Sequence, residues 1–198
     1  VCRIGTKIVS WTVQIYHFIV LAGYFWLGIL KGLILYGVVP ACVSVIKTYE
    51  DIKVTDEVDE KFIKKRFFDY YRDYDHYKVL SFVMSLGVLL LMSLFMLSLA
   101  RGVSLILVVV CIYFLLLLVG AMSYTFYHLT LKKESGRLAF SKGFVVMIKE
   151  LKTTVPLLIA VVVLIGVLYY NLVLFLVVFP AGYAAVVSGI LHEKMPLS

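Results

Sequence analysis

Four long apolar tracts alternate with two charged segments along this chain, and their lengths fix their role. A helix that crosses the roughly 30 Å hydrocarbon core of a bilayer needs about 20 apolar residues, each rising about 1.5 Å. The first tract, 15–39, meets that length, with Trp11, Tyr16 and Tyr24 toward one end and Tyr36 toward the other. Aromatic rings suit such membrane boundaries. Lys31 lies close enough to the end for its ammonium to reach the headgroups. Gly37-Val38-Val39-Pro40 is then expected to end the span, because proline has no N–H and turns Val39 away from helical geometry. Residues 80–100 and 103–127 form the second and third spans, a tight hairpin joined by Arg101-Gly102. The last tract, 155–191, is nearly uncharged and too long for one crossing. Tyr169-Tyr170-Asn171 divides it into spans 155–170 and 172–191, with Pro180-Ala181-Gly182 kinking the second. One long span followed by a half-helix is the alternative.

The charged segments carry a helical period of their own. In 41–79, an acidic turn from Thr55 to Glu60 precedes Ile63, Phe67, Tyr70, Tyr71, Tyr74 and Tyr77, which recur at three- and four-residue intervals and share one face. Lys65, Arg66, Phe67, Tyr71 and Arg72 make this stretch a candidate basic-aromatic interfacial surface. In 128–154, Leu138, Phe144, Val145, Ile148 and Leu151 form a stripe among Lys132, Lys133, Arg137, Lys142, Lys149 and Lys152. Both segments read as amphipathic helices on the cytoplasmic leaflet, whose anionic lipids attract lysine and arginine. The expected fold is all-α: a polytopic bundle of about five transmembrane helices plus two interfacial ones, in a single membrane domain, 1–198.

Composition agrees with this reading. Of the 198 residues, 63% are hydrophobic and 16% charged, with a mean hydropathy of +1.01; soluble domains are about half apolar and a quarter charged. The net charge of +7 raises nucleic-acid binding, yet the basic residues flank apolar runs and interleave with no nucleic-acid module. Their distribution gives orientation instead: eight lie in 41–79, six in 128–154 and one at the hairpin turn. Both polar segments are therefore expected in the cytoplasm of a multi-pass cell-membrane protein, with Arg3 and Lys7 outside and Lys194 inside. The chain opens on Val1, which leaves its true start open.

Candidate chemistry is sparse. Gly37, Pro40 and Ala41 mark a helix break that either ends a span or frees backbone groups for a substrate, and Pro180 faintly echoes it. Asp69, Asp73, Asp75 and His76 lie close in sequence, but a solvated face balanced by Arg66 and Arg72 is a better reading than a metal site. Gln14, His17 and Asn171 are polar groups within apolar runs, read as interface placement or interhelical hydrogen bonding. Gly28 and Gly32 form a Gly-x-x-x-Gly contact motif. Cys2, Cys42 and Cys111 are isolated thiols; Val39-Pro40-Ala41-Cys42 faintly matches a lipoprotein box, but the preceding stretch is too long and carries Lys31. No phosphate loop, HExxH, GxSxG or pair of carboxylates within a span is present, so no enzyme activity and no cofactor is expected.

Three places resemble the YesL-like family of bacterial integral membrane proteins, a domain of unknown function. They are the junction Gly37-Val38-Val39-Pro40-Ala41, the stretch Lys65-Arg66-Phe67-Phe68-Asp69-Tyr70-Tyr71-Arg72 before the second span, and Tyr127-His128-Leu129-Thr130-Leu131-Lys132 after the third. Their order covers nearly the whole chain. Val45 to Glu50 departs from the tryptophan and basic residues usual after Pro-Ala in that family. The resemblance implies carbohydrate uptake: an auxiliary or regulatory partner of sugar ABC-transporter subunits. It brings no catalytic residue. A small transporter or channel acting alone is the competing expectation.

Overall fold

The computed structural model describes residues 2–55, 58–102, 105–132 and 134–192, with side chains described between Thr12 and Leu191. Asp56, Glu57, Val103, Lys133 and Lys194 lie outside the described residues, as do the side chains of Arg3, Lys7 and Trp11. The described helices are α1 (Cys2–Lys31), α2 (Val38–Val54), α3 (Glu60–Tyr74), α4 (Lys78–Ala100), α5 (Leu105–Leu131), α6 (Gly136–Lys149), α7 (Leu151–Tyr170) and α8 (Leu172–His192). A single 3-10 turn, Asp75–Tyr77, joins α3 to α4.

Five stretches are long and apolar enough to cross a membrane: Thr12–Lys31, Glu60–Ala100, Leu105–Leu131, Leu151–Tyr170 and Leu172–Leu191. Only 17–33% of each apolar window is buried inside the chain, so most of it faces outward as contact with hydrocarbon requires. The chain is an all-α, multi-pass membrane protein.

Local chemistry explains where these helices stop. Gly102 takes a left-handed φ of +58° at the α4–α5 turn, a conformation that costs glycine nothing. At Asn171 the backbone is extended, and its side-chain Oδ1 accepts the Leu174 N–H at 3.0 Å. This asparagine thus caps α8, and 155–191 forms two packed helices, each long and apolar enough to cross a membrane.

The first span departs from expectation. The helix ends at Lys31, and the chain turns through 32–37 before α2 begins at Val38. Pro40 does not end a helix; it is the third residue of one, where the absent N–H has no intrahelical partner to lose. Nor is the beginning of 41–79 a surface segment. Every residue from Val39 to Ile46 is buried, and α2 packs against α1, α3, α4, α5 and α8. This helix is the centre of the bundle. Its apolar residues wrap all around it, the mark of a buried helix, while Lys47, Glu50, Asp51 and Lys53 confine the charge to its last turns.

The two amphipathic segments meet different fates. Ile63, Phe67, Tyr71 and Tyr74 on α3, with Tyr77, are buried against α1 and α2, so this stripe faces protein rather than the leaflet. Lys65, Arg66 and Arg72 are exposed, so the proposed basic-aromatic surface splits between two faces. On α6 the buried residues are instead Ala139, Gly143 and Met147, set on α5 so closely that a Cβ on Gly143 would lie 2.9 Å from the Thr125 nitrogen. The stripe of Leu138, Phe144, Val145, Ile148 and Leu151 remains exposed.

α8 runs unbroken past Pro180. A mid-helix proline offers no N–H to the carbonyl four residues earlier, here that of Leu176. The Trp26 indole N–H, from α1, donates to that oxygen at 2.7 Å. An imperfection in one helix thus becomes a joint between two. We expect Trp26→Phe to cost about 1 kcal/mol of stability, the scale of one such bond. Pro180→Ala restores the N–H, so the same tryptophan substitution should cost clearly less in that background. Thermal unfolding of the two singles and the double in detergent reads this coupling.

Candidate functional site

The break between α1 and α2 collects most of the unusual chemistry. Leu33 N–H donates to Leu30 O at 3.0 Å and Ile34 N–H to Ile29 O at 2.9 Å, the paired bonds that close a helix in a Schellman motif. That motif asks for a left-handed residue, usually glycine, at Leu33. Here Leu33 has φ +50° and Ile34 φ +64°. A left-handed non-glycine residue costs roughly 1–3 kcal/mol, and a β-branched one is a genuine outlier. The glycine comes one position early, at Gly32, because a tighter demand holds it there. A Cβ on Gly32 would lie 2.2 Å from the Gly37 Cα, and a Cβ on Gly37 would lie 2.9 Å from the Gly28 and Ile29 oxygens.

Side chains from α3 and α4 clamp this strained turn. Ser81 accepts the Val39 N–H at 3.2 Å and donates to Leu35 O at 2.9 Å; Ser85 donates to the same oxygen at 3.1 Å. The Tyr71 hydroxyl donates to Gly28 O at 3.0 Å, in the last turn of α1. Tyr71 belongs to a ladder of hydroxyls on one edge of α3. Tyr74 donates to Leu129 O at 3.0 Å, near the end of α5, and Tyr77 to Glu134 O just beyond it. The ladder therefore occupies carbonyls at or just beyond helix ends, where intrahelical donors run out.

Beside the turn lies a cavity of about 670 Å³ whose walls include Lys31, Tyr36, Phe68, Tyr71 and Arg72. The Lys31 ammonium stands 5.7 Å from the Phe68 ring centre and 5.5 Å from that of Tyr71, within range of cation–π attraction. Asp75 and Lys78, also on the wall, pair with each other at 2.8 Å. A larger cavity of about 1050 Å³ opens between α4 and α6, with Val83, Met84, Leu118 and Phe140 inside and His76, Glu134 and Arg137 on its wall. The Lys142 ammonium, 2.7 Å from both Glu134 carboxylate oxygens, holds that carboxyl below the usual range.

A polar cluster also runs along the last turns of α2. Tyr70 donates to Asp51 at 2.8 Å, Arg66 stands 3.7 Å from the same carboxylate, and Ser188 donates to Glu50 at 3.0 Å. Lys47 approaches Tyr74 at 3.3 Å.

Gly37 is thus the N-cap residue of α2, Pro40 and Ala41 lie buried in its first turns, and Pro180 lies buried in α8 behind Trp26. Phe67 and Tyr71 are brought to the break, where an added Cβ on Gly28 would meet their rings at 3.1–3.3 Å. Gly28 and Gly32 therefore serve contacts inside the chain. Arg72 lines the cavity, Arg66 pairs with α2, and Lys65 is an exposed residue elsewhere on α3. His17 is buried and Gln14 exposed; Cys42 and Cys111 are buried thiols. Among the described residues, no three of His, Cys, Asp and Glu come together as a metal would need. Sequence reasoning missed Ser81, Ser85 and Lys31 as members of one site. The regular spacing of two serines four apart at the start of a span was the available signal.

The chain matches no protein-family description, no curated protein and no solved structure.

Loss of a clamp bond should be measurable by unfolding. Ser81→Ala is expected to cost about 1–3 kcal/mol, since it leaves the Val39 N–H without its partner in a buried site, and Tyr71→Phe about 1 kcal/mol, since Gly28 O keeps only the Gly32 N–H. Gly32→Ala, which must push the two backbones apart, should cost roughly 3 kcal/mol or abolish folding. Gly23→Ala, with nothing within 4 Å of the new methyl, should be neutral or gain up to about 1 kcal/mol.

Proposed function

We propose that this chain is a non-catalytic membrane subunit, an auxiliary or regulatory partner of a carbohydrate ABC transporter in the cell membrane, with both basic segments cytoplasmic. The observation that carries the reading is the outward stripe of α6. Leu138, Phe144, Val145 and Ile148, with Leu151 at the start of α7, stay exposed although α6 already buries a separate face of Ala139, Gly143 and Met147 on α5. A helix so placed, between the end of α5 and the start of α7, lies where a span meets the surface. An apolar stripe fringed by Arg137, Lys142, Lys149 and Lys152 suits the boundary layer and offers a contact to a neighbouring transmembrane subunit. The resemblance to the YesL-like family supplies the sugar-transport context.

A small transporter or channel is the second reading, favoured by the non-helical backbone at 32–37. In carriers with broken helices, freed carbonyls and amides bind the solute. Here Gly28 O and Leu35 O are occupied by Tyr71, Ser81 and Ser85, which favours a structural use of the break.

Affinity purification from gently solubilised membranes should recover identified sugar-transporter subunits with the wild-type chain. Phe144→Ser with Ile148→Ser should lose at least about tenfold of that recovery while the protein stays monodisperse. Repeated isolation of the wild type alone would overturn the proposal, and sugar flux in vesicles holding only this chain would favour the second reading. Orientation has its own test: in intact cells, a cysteine replacing Arg101 should react with an impermeant thiol reagent, and one replacing Lys132 should react only after lysis.

A further inference from the structure

We propose that the cavity beside the 32–37 turn holds the headgroup of an anionic phospholipid, its phosphate between Lys31 and Arg72 and its acyl chains over the turn. Three independent features point there. The first is charge. Asp75 and Lys78 neutralise one another at 2.8 Å, whereas Lys31 and Arg72 make no ion pair among the described residues. The cavity therefore carries two cations in search of an anion. A guanidinium presents parallel N–H donors that match two phosphate oxygens, and an ammonium adds a point charge beside it.

The second feature is preorganisation. The Lys31 stem ends over the faces of Phe68 and Tyr71, and Tyr71 is fixed in turn by its bond to Gly28 O. The ammonium is thus held at the cavity wall before any ligand arrives, which lowers the ordering cost of binding.

The third is the rim. Leu33 is 78% exposed and Ile34 58%, apolar side chains on a strained turn with no protein cover. Tyr36 stacks on Phe82 of α4 with ring centres 5.4 Å apart, extending this apolar surface beside the cavity. Hydrocarbon next to a dicationic pocket is the arrangement a phospholipid presents: acyl chains below, phosphodiester above. A soluble phosphate compound would use the cations and leave the rim bare. A zwitterionic lipid brings a positive group of its own toward a wall that is already positive. The site needs only that the chain sit in a bilayer, so it stands or falls apart from the transporter-subunit reading.

The test uses the full chain in a non-ionic detergent, with binding read by native mass spectrometry and by thermal unfolding. Phosphatidylglycerol should bind and raise the unfolding temperature, whereas phosphatidylcholine and inorganic phosphate at the same concentration should not. Lys31→Gln and Arg72→Gln should each weaken phosphatidylglycerol binding roughly tenfold or more, the scale of one charge-assisted contact. Lys31→Arg should retain it, as should Lys64→Gln, an exposed lysine outside the cavity wall. Should the Arg72 variant fail to fold, the Lys31 pair carries the comparison. Equal binding of the two lipids, or full binding by Lys31→Gln, would overturn the proposal. Equal stabilisation by inorganic phosphate, lost in Lys31→Gln, would overturn the lipid and assign the site to a soluble phosphate instead.

Discussion

Hydrocarbon offers no hydrogen bonds, so every backbone group that leaves a helix ladder within the bundle must find a donor or acceptor in the chain itself. The rest of this structure follows from that constraint. Among the ladder faults of the described residues, the turn at 32–37 and the proline at 180 each have a dedicated partner on a neighbouring helix. Ser81, Ser85 and Tyr71 close the first; Trp26 closes the second. Because the partners come from α1, α3 and α4, repairing a fault also fixes how those helices sit. The bonds are individually modest. Their effect on arrangement is large because each is made only when two helices are in register.

Close packing then takes over where hydrogen bonding ends. Apolar side chains gain little by leaving lipid for protein, so membrane helices associate where small residues let backbones approach. Gly32 against Gly37, Gly28 beneath the Phe67 and Tyr71 rings, and Gly143 against Thr125 are three such approaches. The first two lie at the α1–α2 break and the third under α6. The cost of the first is visible next door: glycine is used for the approach, and leucine is left to take the left-handed position that glycine would have filled at no cost. One residue cannot serve both demands, and packing wins.

The spans were legible because length and hydropathy suffice for them; 80–100, 155–170 and 172–191 differ from the observed helices by a few residues at most. Asn171 as a divider was legible for the same reason. What could not be read was the direction of the break at Gly37–Pro40. Proline forbids a helix interior but favours a first turn, and the sequence alone does not say which side of it the helix lies on. With the span ended at Pro40, residues 41–54 fall into the polar segment 41–79. The pattern of α2 itself pointed the other way: nine residues from Val38 to Ile46 hold no charge, too few to cross a bilayer and too many for a surface turn. Segment-level charge counting hid them by averaging them with the lysines that follow. The candidate site was less visible still, since Lys31, Ser81, Ser85 and Arg72 are brought together only by the crossing of α1, α3 and α4.

Two segments with similar hydrophobic periodicity ended in different surroundings, and their side-chain chemistry gives a reason. The α3 stripe is rich in tyrosine, so it carries apolar bulk together with hydroxyl donors. Such a face can replace water at the carbonyl ends of α1 and α5, and it does so at Gly28, Leu129 and Glu134. The α6 stripe consists of leucine, valine, isoleucine and phenylalanine, which bring bulk and no donor. Against helix ends it would leave carbonyls unpaired, at a cost of about 1–3 kcal/mol each. A donor-rich face is therefore drawn into the protein and a donor-free face is left for a surface with no polar demand, a lipid boundary or another apolar subunit. Hydrophobic period establishes that a face will be covered; the donors it carries decide by what.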